Sequence, residues 1–261
     1  MEVVVVESPD EAAGIVADIY TALLTRRPDA VLGLATGSTP LPVYKELIRR
    51  HREEGLSFAR ARAFLLDEYV GLPAGHPERY REFIRNELEQ HVDFTADAIL
   101  GPGDLDVPPT EAGGAYEEAI GQAGGVDLQI LGIGTDGHLA FNMPMSSLAS
   151  RTRLKTLTPR TRQDNARFFG GDIGQVPTQC LTQGLGTILD SRHAVMLGFG
   201  RGKAQAVREA VEGPLSSRWP ASVLQMHPHA TIVVDEDAAS QLSFVDYYRS
   251  AYAGKPAGQG L

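Results

Sequence analysis

Carboxylates and an imidazole follow apolar segments at two places in this 261-residue chain. Asp67 and Glu68 come directly after the run Ala63–Leu66, and adjacent carboxylates at such a position are costly to remove from water. They are candidates for a general base, a metal ligand or a buried ion pair. Asp136 stands two residues before His138, and a nearby carboxylate fixes the tautomer of an imidazole and raises its basicity. The pair suits proton transfer between oxygen atoms near neutral pH, and a histidine that only stabilises its own loop is the alternative.

Hydroxyl groups and a glycine form a third candidate site. Thr36-Gly37-Ser38-Thr39 lies between the apolar segment Ala30–Leu34 and a predicted helix. Backbone N–H groups at a helix start and neighbouring hydroxyls bind anions, so the loop fits a phosphate group, although a capped turn without ligand explains the same residues. No Gly-Lys-Ser/Thr follows, which excludes a Walker P-loop. Arg167 on a predicted helix and Lys203 after a glycine-rich turn are cations that could complete a phosphate pocket.

Other familiar motifs are weak or absent. Gly132, Gly134 and Gly137 spell a dinucleotide fingerprint, but the chain breaks soon afterwards at a proline and the acidic residue expected about 20 positions on is missing. His227-Pro228-His229 has no third ligand at a suitable spacing, so we assign it to structure rather than to a metal site. The single cysteine, Cys180, excludes an intramolecular disulfide.

Composition favours a cytoplasmic globular protein. The chain is 43% hydrophobic and its formal charge is 24 − 33 = −9, which opposes binding to nucleic acid or to an anionic membrane surface. Its amino terminus is acidic with a four-residue apolar run, unlike a signal peptide, and no apolar stretch approaches the length of a membrane span. No repeat or linker divides the chain, so residues 1–261 are expected to form one domain, with a flexible tail over residues 252–261.

Strands and helices alternate along the sequence, which predicts an α/β fold. We expect a three-layer αβα, Rossmann-like, doubly wound arrangement with an open and mostly parallel sheet. Ligands of such sheets bind beyond the carboxyl ends of the strands, where the three candidate loops lie. The predicted strands are Val3–Val6, Ala30–Leu34, Ala63–Leu66, Asp127–Ile133, His193–Gly198 and Ala230–Val234. The predicted helices are Ala12–Leu24, Leu41–Glu54, Glu78–Gln90, Pro109–Ala123, Arg160–Phe169, Val176–Leu189 and Lys203–Val211.

Four longer segments carry a resemblance to a known family. They are Leu34–Pro40, Leu66–Pro73, Gly134–Asn142 and Ser146–Arg153. Together they resemble the glucosamine-6-phosphate deaminase family, and the match continues in order to Pro228. The related 6-phosphogluconolactonases share an Asp-Gly-His loop, but the Tyr-Val-Gly-Leu-Pro sequence after Glu68 and the run Ser146–Arg153 are similar to the deaminases.

The resemblance implies an enzyme that converts glucosamine 6-phosphate and water reversibly to fructose 6-phosphate and ammonia, without a cofactor or a metal. It implies that His138, oriented by Asp136, moves protons during opening of the sugar ring, and that Asp67 takes the proton from C2. The residues implied to bind the phosphate group are Thr36, Gly37, Ser38, Thr39, Arg167 and Lys203.

Met143 departs from the family pattern, which places there a glutamate that supports the proton exchange of the histidine. A thioether cannot carry a proton, so the resemblance implies an active site that is impaired or retuned. A 6-phosphogluconolactonase-like hydrolase and a sugar-phosphate sensor with weakened catalysis are the alternative functions.

Regulation and assembly are also implied by the resemblance. Some members of the family are hexamers that N-acetylglucosamine 6-phosphate activates at a subunit interface, so a homo-oligomer of up to six chains is expected. Met145 stands beside the matching site, where a small residue is usual, and could obstruct it. The matching residues are Ser146, Arg153, Lys155 and Thr156.

Overall fold

The computed structural model describes residues 1–256, whose strands form a central sheet and a smaller second sheet. The strands are β1 (Glu2–Val6), β2 (Val31–Leu34), β3 (Arg62–Leu65), β4 (Asp67–Tyr69), β5 (Ile99–Leu100), β6 (Leu128–Gly132), β7 (Arg153–Thr156), β8 (Gln179–Thr182), β9 (His193–Gly198) and β10 (Ala230–Asp235). The α-helices are α1 (Pro9–Arg26), α2 (Leu41–Glu54), α3 (Tyr80–Glu87), α4 (Pro109–Gln122), α5 (Pro159–Asn165), α6 (Leu185–Leu189), α7 (Ala204–Val211), α8 (Glu236–Ala239) and α9 (Val245–Ala253).

The central sheet has seven strands in the order β1-β10-β9-β6-β2-β3-β5, and every pairing in it is parallel. Its inner strands are apolar and buried on both faces, as parallel sheets require. Leu32 packs into the main core with α1 and α2, whereas Val31 packs with Tyr116 of α4. Since neighbouring residues of a strand point to opposite faces, helices cover both faces, and the predicted α/β architecture is confirmed.

A three-stranded antiparallel sheet, in the order β4-β8-β7, was not expected from the sequence. The helix predicted over Val176–Leu189 is wrong, because this segment forms β8 and then, after Gly184, the short helix α6. Threonines at 178 and 182 favour a strand, and the glycines at 184 and 186 interrupt a helix. The helix predicted over Arg160–Phe169 is shorter in the structure. It forms α5, which ends at Asn165, and a 3-10 turn follows at Ala166–Phe168.

The chain passes from the central sheet to the small sheet between Leu65 and Asp67. The backbone N–H of Leu66 still donates to Leu34 of β2, while its carbonyl accepts a hydrogen bond from the N–H of Gln183, which directly follows β8. Asp67 is the first residue of β4 and pairs with Thr182. A carboxylate is thereby fixed at the carboxyl edge of the central sheet.

The last described residues are partly ordered by contacts with the first strand. Helix α9 includes Tyr252 and Ala253, and the ammonium group of Lys255 lies 2.6 Å from a carboxylate oxygen of Glu2. The tail predicted over 252–261 therefore begins with helical residues, and its part at 257–261 lies outside the described residues. Among residues 1–256, none of the helices has the length and apolar character needed to cross a membrane.

Candidate active site

Asp67 and Glu68 have different surroundings although they are neighbours in β4. Asp67 is 7% exposed, and no group within residues 1–256 donates a hydrogen bond to its carboxylate. Burial, and next the charge of Glu68, raise the pKa of Asp67 to about 8. Glu68 accepts backbone N–H groups of Tyr69, Tyr80 and Arg81 at 2.8–3.0 Å. Glu68 therefore holds the start of α3 on the strand, whereas Asp67 keeps its lone pairs available for a ligand.

Asp136 and His138 form a hydrogen-bonded pair in the loop that follows β6. His138 Nδ1 lies 2.6 Å from Asp136 Oδ1, and this hydrogen bond lowers the pKa of Asp136 to about 2. The ring stands directly over Gly134, where a Cβ atom would lie 2.1 Å from Nδ1. Gly137 has a φ of +81° and packs against Trp219. The two glycines are thus required for a tight turn that leaves His138 partly exposed, and its Nε2 has no hydrogen-bond partner in the part of the chain that the structure describes.

The hydroxyl loop occupies the space between β2 and α2. Thr36 and Thr39 are half-buried, and Gly37 and Ser38 are exposed. The side chain of Thr39 lies against Gly132 at the end of β6, at a distance of 3.7 Å from the position of a Cβ there. This contact places the loop beside the turn that carries Asp136 and His138.

Lys203 and Arg167 lie close enough to influence each other electrostatically. Burial, followed by the like charge of Arg167, lowers the pKa of Lys203, and the opposite charge of Asp136 acts against this shift. Lys203 ends the 3-10 turn after β9, and the carboxylate of Asp235 holds this turn by accepting the N–H of Gly200 at 2.9 and 3.0 Å. Asp235 of β10 therefore fixes the turn that positions Lys203 at the candidate site.

The predicted site residues come together because their loops follow parallel strands whose carboxyl ends meet at one edge. The hydroxyl loop follows β2, the Asp136–His138 turn follows β6 and the lysine turn follows β9. Asp67, after β3, is joined to the histidine loop through Thr182, its partner in β8, whose hydroxyl accepts the N–H of Phe141 at 3.2 Å. A buried carboxylate, an imidazole and two cationic side chains thus lie at one edge of the sheet.

Met143 and Met145 have contrasting environments. Met143 packs against an aromatic and apolar cluster that includes Tyr69, Tyr80 and Phe141. Met145 is 73% exposed with a φ of +70°, and its N–H donates to the carbonyl of Ser217 at 2.7 Å. A thioether packed on an apolar cluster therefore stands at the position where the resemblance to the deaminases leads one to expect an acid.

The four residues matched to an allosteric site lie on β7 and the loop before it. Lys155 Nζ donates to Ser146 Oγ at 3.2 Å, and Arg153 donates to Asn142 Oδ1 at 2.9 Å. Burial lowers the pKa of Arg153 and of Lys155, and neither forms an ion pair with another described residue. Thr156 is exposed at the end of the strand. Arg153 connects this cationic patch to Asn142 in the histidine loop.

Sequence reasoning named Glu68 only as one of two candidate carboxylates, assigned Trp219 to core or lid packing, and gave Asp235 no role; in the structure all three hold loops of the candidate site. Glu68 anchors α3, Trp219 packs under Gly137, and Asp235 holds the lysine turn. Asp235 directly follows the predicted strand Ala230–Val234, and this position at the carboxyl end of a strand was the one available indication of its role. The other contacts depend on tertiary structure.

Comparisons with known proteins agree with this arrangement. A family model described as "Glucosamine-6-phosphate isomerases/6-phosphogluconolactonase" matches residues 7–233. A Mycolicibacterium smegmatis protein named glucosamine-6-phosphate deaminase is 60% identical, with all of both chains covered. A solved structure described as a monomeric glucosamine-6-phosphate deaminase is 40% identical with a TM-score of 0.88, over 92% of this chain and 100% of that chain.

A solved 6-phosphogluconolactonase from Trypanosoma cruzi has a TM-score of 0.73 at 20% identity, over 93% of this chain and 97% of that chain, so it shares the fold. A match over most of the chain to one family model, and high identity to a relative over the full length, establish the kinship. The chain belongs to the family of glucosamine-6-phosphate isomerases and 6-phosphogluconolactonases.

Proposed function

We propose that the protein is a glucosamine-6-phosphate deaminase, which converts glucosamine 6-phosphate and water to fructose 6-phosphate and ammonia. The observation that carries the proposal is Asp67, a buried carboxylate without a hydrogen-bond donor among residues 1–256 at the ligand-binding edge. A carboxylate of raised pKa with free lone pairs is suited to removing a proton from carbon. Removal of a carbon proton is needed in an aldose–ketose conversion and not in the hydrolysis of a lactone.

Binding begins with the phosphate group in this proposal. Lys203 and Arg167 supply positive charge, and the loop Thr36-Gly37-Ser38-Thr39 supplies hydroxyls and N–H groups at the start of α2. The hydroxyls of this loop make no hydrogen bond to another described residue, so they are available to an anion. Anchoring the non-reacting end of the sugar places C1 and C2 at the carboxylate and the imidazole.

Ring opening comes next, because the C2 proton becomes acidic only when C1 is a free aldehyde. His138 moves a proton between the ring oxygen and the anomeric hydroxyl, and Asp136 stabilises the imidazolium that forms on the way. Met143 cannot take part in this exchange. The pair of Asp136 and His138 therefore performs the step without the acid that the resemblance leads one to expect.

Asp67 then takes the C2 proton to give an enolamine and returns a proton to C1. The imine at C2 that results adds water, and the carbinolamine expels ammonia to leave the ketone of fructose 6-phosphate. Atoms balance with one water consumed and one ammonia released. No step requires a metal ion or an electron carrier.

An ammonia-release assay with glucosamine 6-phosphate, run on the wild type, Asp67→Asn and Asp106→Asn, tests the proposed function. Wild type and the exposed control Asp106→Asn should release ammonia at similar rates, whereas Asp67→Asn should be slower by about 100-fold or more. Binding of the sugar phosphate with neither release of ammonia in the forward direction nor its consumption in the reverse direction would indicate a sensor. Acid release from 6-phosphogluconolactone with no ammonia would indicate a lactonase.

We also propose that Ser146, Arg153, Lys155 and Thr156 bind a second sugar phosphate that regulates the enzyme. The two cations lack a carboxylate partner within residues 1–256, which supports an anionic ligand. A sigmoidal rate curve that N-acetylglucosamine 6-phosphate makes hyperbolic would support this proposal. A curve that is hyperbolic throughout would contradict it.

Assembly into a homo-oligomer of up to six chains and a cytoplasmic location complete the proposal. The resemblance to hexameric members supports association, although one similar solved structure is described as monomeric. Light scattering across a range of protein concentrations distinguishes an oligomer from a monomer. A mass of 28.1 kDa at every concentration would contradict the oligomer.

A further inference from the structure

The hydroxyl of Tyr44 makes two hydrogen bonds to a single residue at the entrance of the phosphate loop. It accepts the N–H of Ala35 at 3.1 Å and donates to the carbonyl of Ala35 at 2.6 Å. Tyr44 is fully buried on α2, one turn after the helix begins. Its ring therefore ties the end of β2 to the helix on the far side of the loop.

Ala35 needs this partner because the sheet ladder ends just before it. The pairing of β2 with β3 extends to Leu34 and Leu65, and the carbonyl of Leu34 accepts the N–H of Leu66. Ala35 is 3% exposed, so its N–H and carbonyl would be buried without partners if the phenol were absent. Tyr44 thus satisfies both polar groups at the point where the strand stops.

The four residues that follow have few constraints of their own. Within residues 1–256, no side-chain hydroxyl of Thr36, Ser38 or Thr39 is hydrogen-bonded, and no backbone hydrogen bond holds residues 36–39. The side chain of Thr39 faces Gly132, at a distance of 3.7 Å from the position of a Cβ there. The direction in which these N–H and hydroxyl groups point is therefore set at the two ends of the loop, by Ala35 and by the start of α2.

We propose that Tyr44 is a positioning residue for phosphate binding, which orients the loop Thr36-Gly37-Ser38-Thr39 by holding both polar groups of Ala35. The inference rests on the proposed function in that it assigns this loop to the phosphate group of the substrate. Tyr44 does not touch the ligand. Its contribution is the conformational order that the loop would otherwise have to gain on binding.

Tyr20 provides a matched control. It is also a fully buried tyrosine in the same core, on the neighbouring helix α1, and its hydroxyl has no hydrogen-bond partner among the described residues. Tyr20→Phe and Tyr44→Phe remove the same oxygen atom from equally buried rings. Only Tyr44→Phe removes the hydrogen bonds to the N–H and carbonyl of Ala35.

The experiment measures the binding of inorganic phosphate by calorimetry and the steady-state kinetics of ammonia release for the wild type and both variants. In Tyr44→Phe the dissociation constant of phosphate and the KM for glucosamine 6-phosphate should each rise about five- to tenfold, which corresponds to one net hydrogen bond. The turnover number should change by less than about twofold, since the interactions of the reacting carbons are unchanged. Tyr20→Phe should match the wild type in all three quantities.

A folded Tyr44→Phe with wild-type phosphate affinity, even with a lower melting temperature, would overturn the inference and leave Tyr44 a structural residue. Equal losses in Tyr20→Phe, or no phosphate binding by the wild type, would overturn it too. A wild type that binds phosphate without releasing ammonia would refute the proposed function alone, because the calorimetric comparison needs no turnover.

Hydrogen exchange on the unliganded wild type tests the same point if Tyr44→Phe does not fold. The Ala35 amide should be protected as strongly as the amides of β2. Exchange as fast as at Gly37 and Ser38 would overturn the inference.

Discussion

At the scale of single residues, Asp67 and Glu68 carry the same functional group in opposite surroundings. Glu68 accepts three backbone N–H groups, while Asp67 is buried and accepts no hydrogen bond from any residue of the described range 1–256. The sequence identifies the pair as important because adjacent carboxylates follow an apolar strand. The residue types alone do not separate their roles, since the N–H groups of Tyr80 and Arg81 reach Glu68 only after α3 has packed on β4; only the family resemblance implies the base role for Asp67.

Asp67 should reduce the stability of the protein as the pH rises. Its pKa is about 8 in the folded chain and 3.8 in the unfolded one, so between these values the folded state binds more protons and stability falls with increasing pH. Asp67→Asn removes this effect. Urea unfolding should show that the variant gains about 3 kcal/mol more over wild type at pH 8 than at pH 5. A gain that is equal at both pH values would contradict the assignment.

Met143→Glu should raise the rate of deamination if this position limits ring opening. The change introduces a side chain that can exchange a proton in the loop that carries His138, and general acid–base catalysis contributes about 10²–10⁴-fold. Met143→Gln is the control, because it has a similar length and polarity but cannot titrate. Turnover that is unchanged or lower in Met143→Glu, or a similar rise in both variants, would refute the role of position 143.

At the scale of elements, the sequence predicts long apolar strands well and short polar ones poorly. β9 and β10 are six-residue buried strands that periodicity identifies easily. β4 has three residues and β7 reads Arg-Leu-Lys-Thr with every residue partly or fully exposed, so neither shows a strand pattern. Their pairing with β8 depends on partners more than 20 residues away, which a local pattern does not contain.

The turn that carries His138 should not tolerate a methyl group at Gly134. In Gly134→Ala the Cβ would lie about 2 Å from the imidazole, so the ring must leave its position beside Asp136. Ammonia release should fall at least about 100-fold while phosphate affinity stays near the wild-type value. Gly14→Ala, in the middle of α1 with open space around it, is the control and should increase stability by about 0.5–1 kcal/mol. Full activity in Gly134→Ala would contradict the placement of His138.

At the scale of the whole molecule, the parallel sheet brings the candidate catalytic groups to one edge, while the other edge carries a buried histidine cluster. The opposite edge holds His193, whose ring stacks on His229 with 3.7 Å between ring centroids and whose Nε2 lies 2.9 Å from the hydroxyl of Thr231. This arrangement agrees with the structural role that the sequence predicts for the His227-Pro228-His229 segment. Strand direction alone predicts that a ligand binds at the carboxyl edge, so the sequence is sufficient for this prediction.

His193 should make the fold sensitive to acid. Burial, and next the charge of His229, lower its pKa to about 3, so the unfolded chain binds a proton between about pH 6.5 and 3 that the folded chain does not. Stability is therefore lost as the pH falls through this range. Between pH 7.5 and pH 5, urea unfolding of His193→Gln should lose about 2 kcal/mol less than the wild type. Parallel losses in both proteins would contradict the neutral state of the buried ring.

The central claim is that Asp67 removes the proton at C2 of an opened amino sugar phosphate, and an isotope at that carbon tests it most directly. Glucosamine 6-phosphate that carries deuterium at C2 is converted in ordinary water, and the product is analysed by NMR and mass spectrometry. The account predicts that C2 loses its deuterium to solvent or to C1 of fructose 6-phosphate, and that Asp67→Asn shows no such loss. Ammonia release with formation of a product other than fructose 6-phosphate that keeps deuterium on C2, or loss of the deuterium at the wild-type rate in Asp67→Asn, would contradict it.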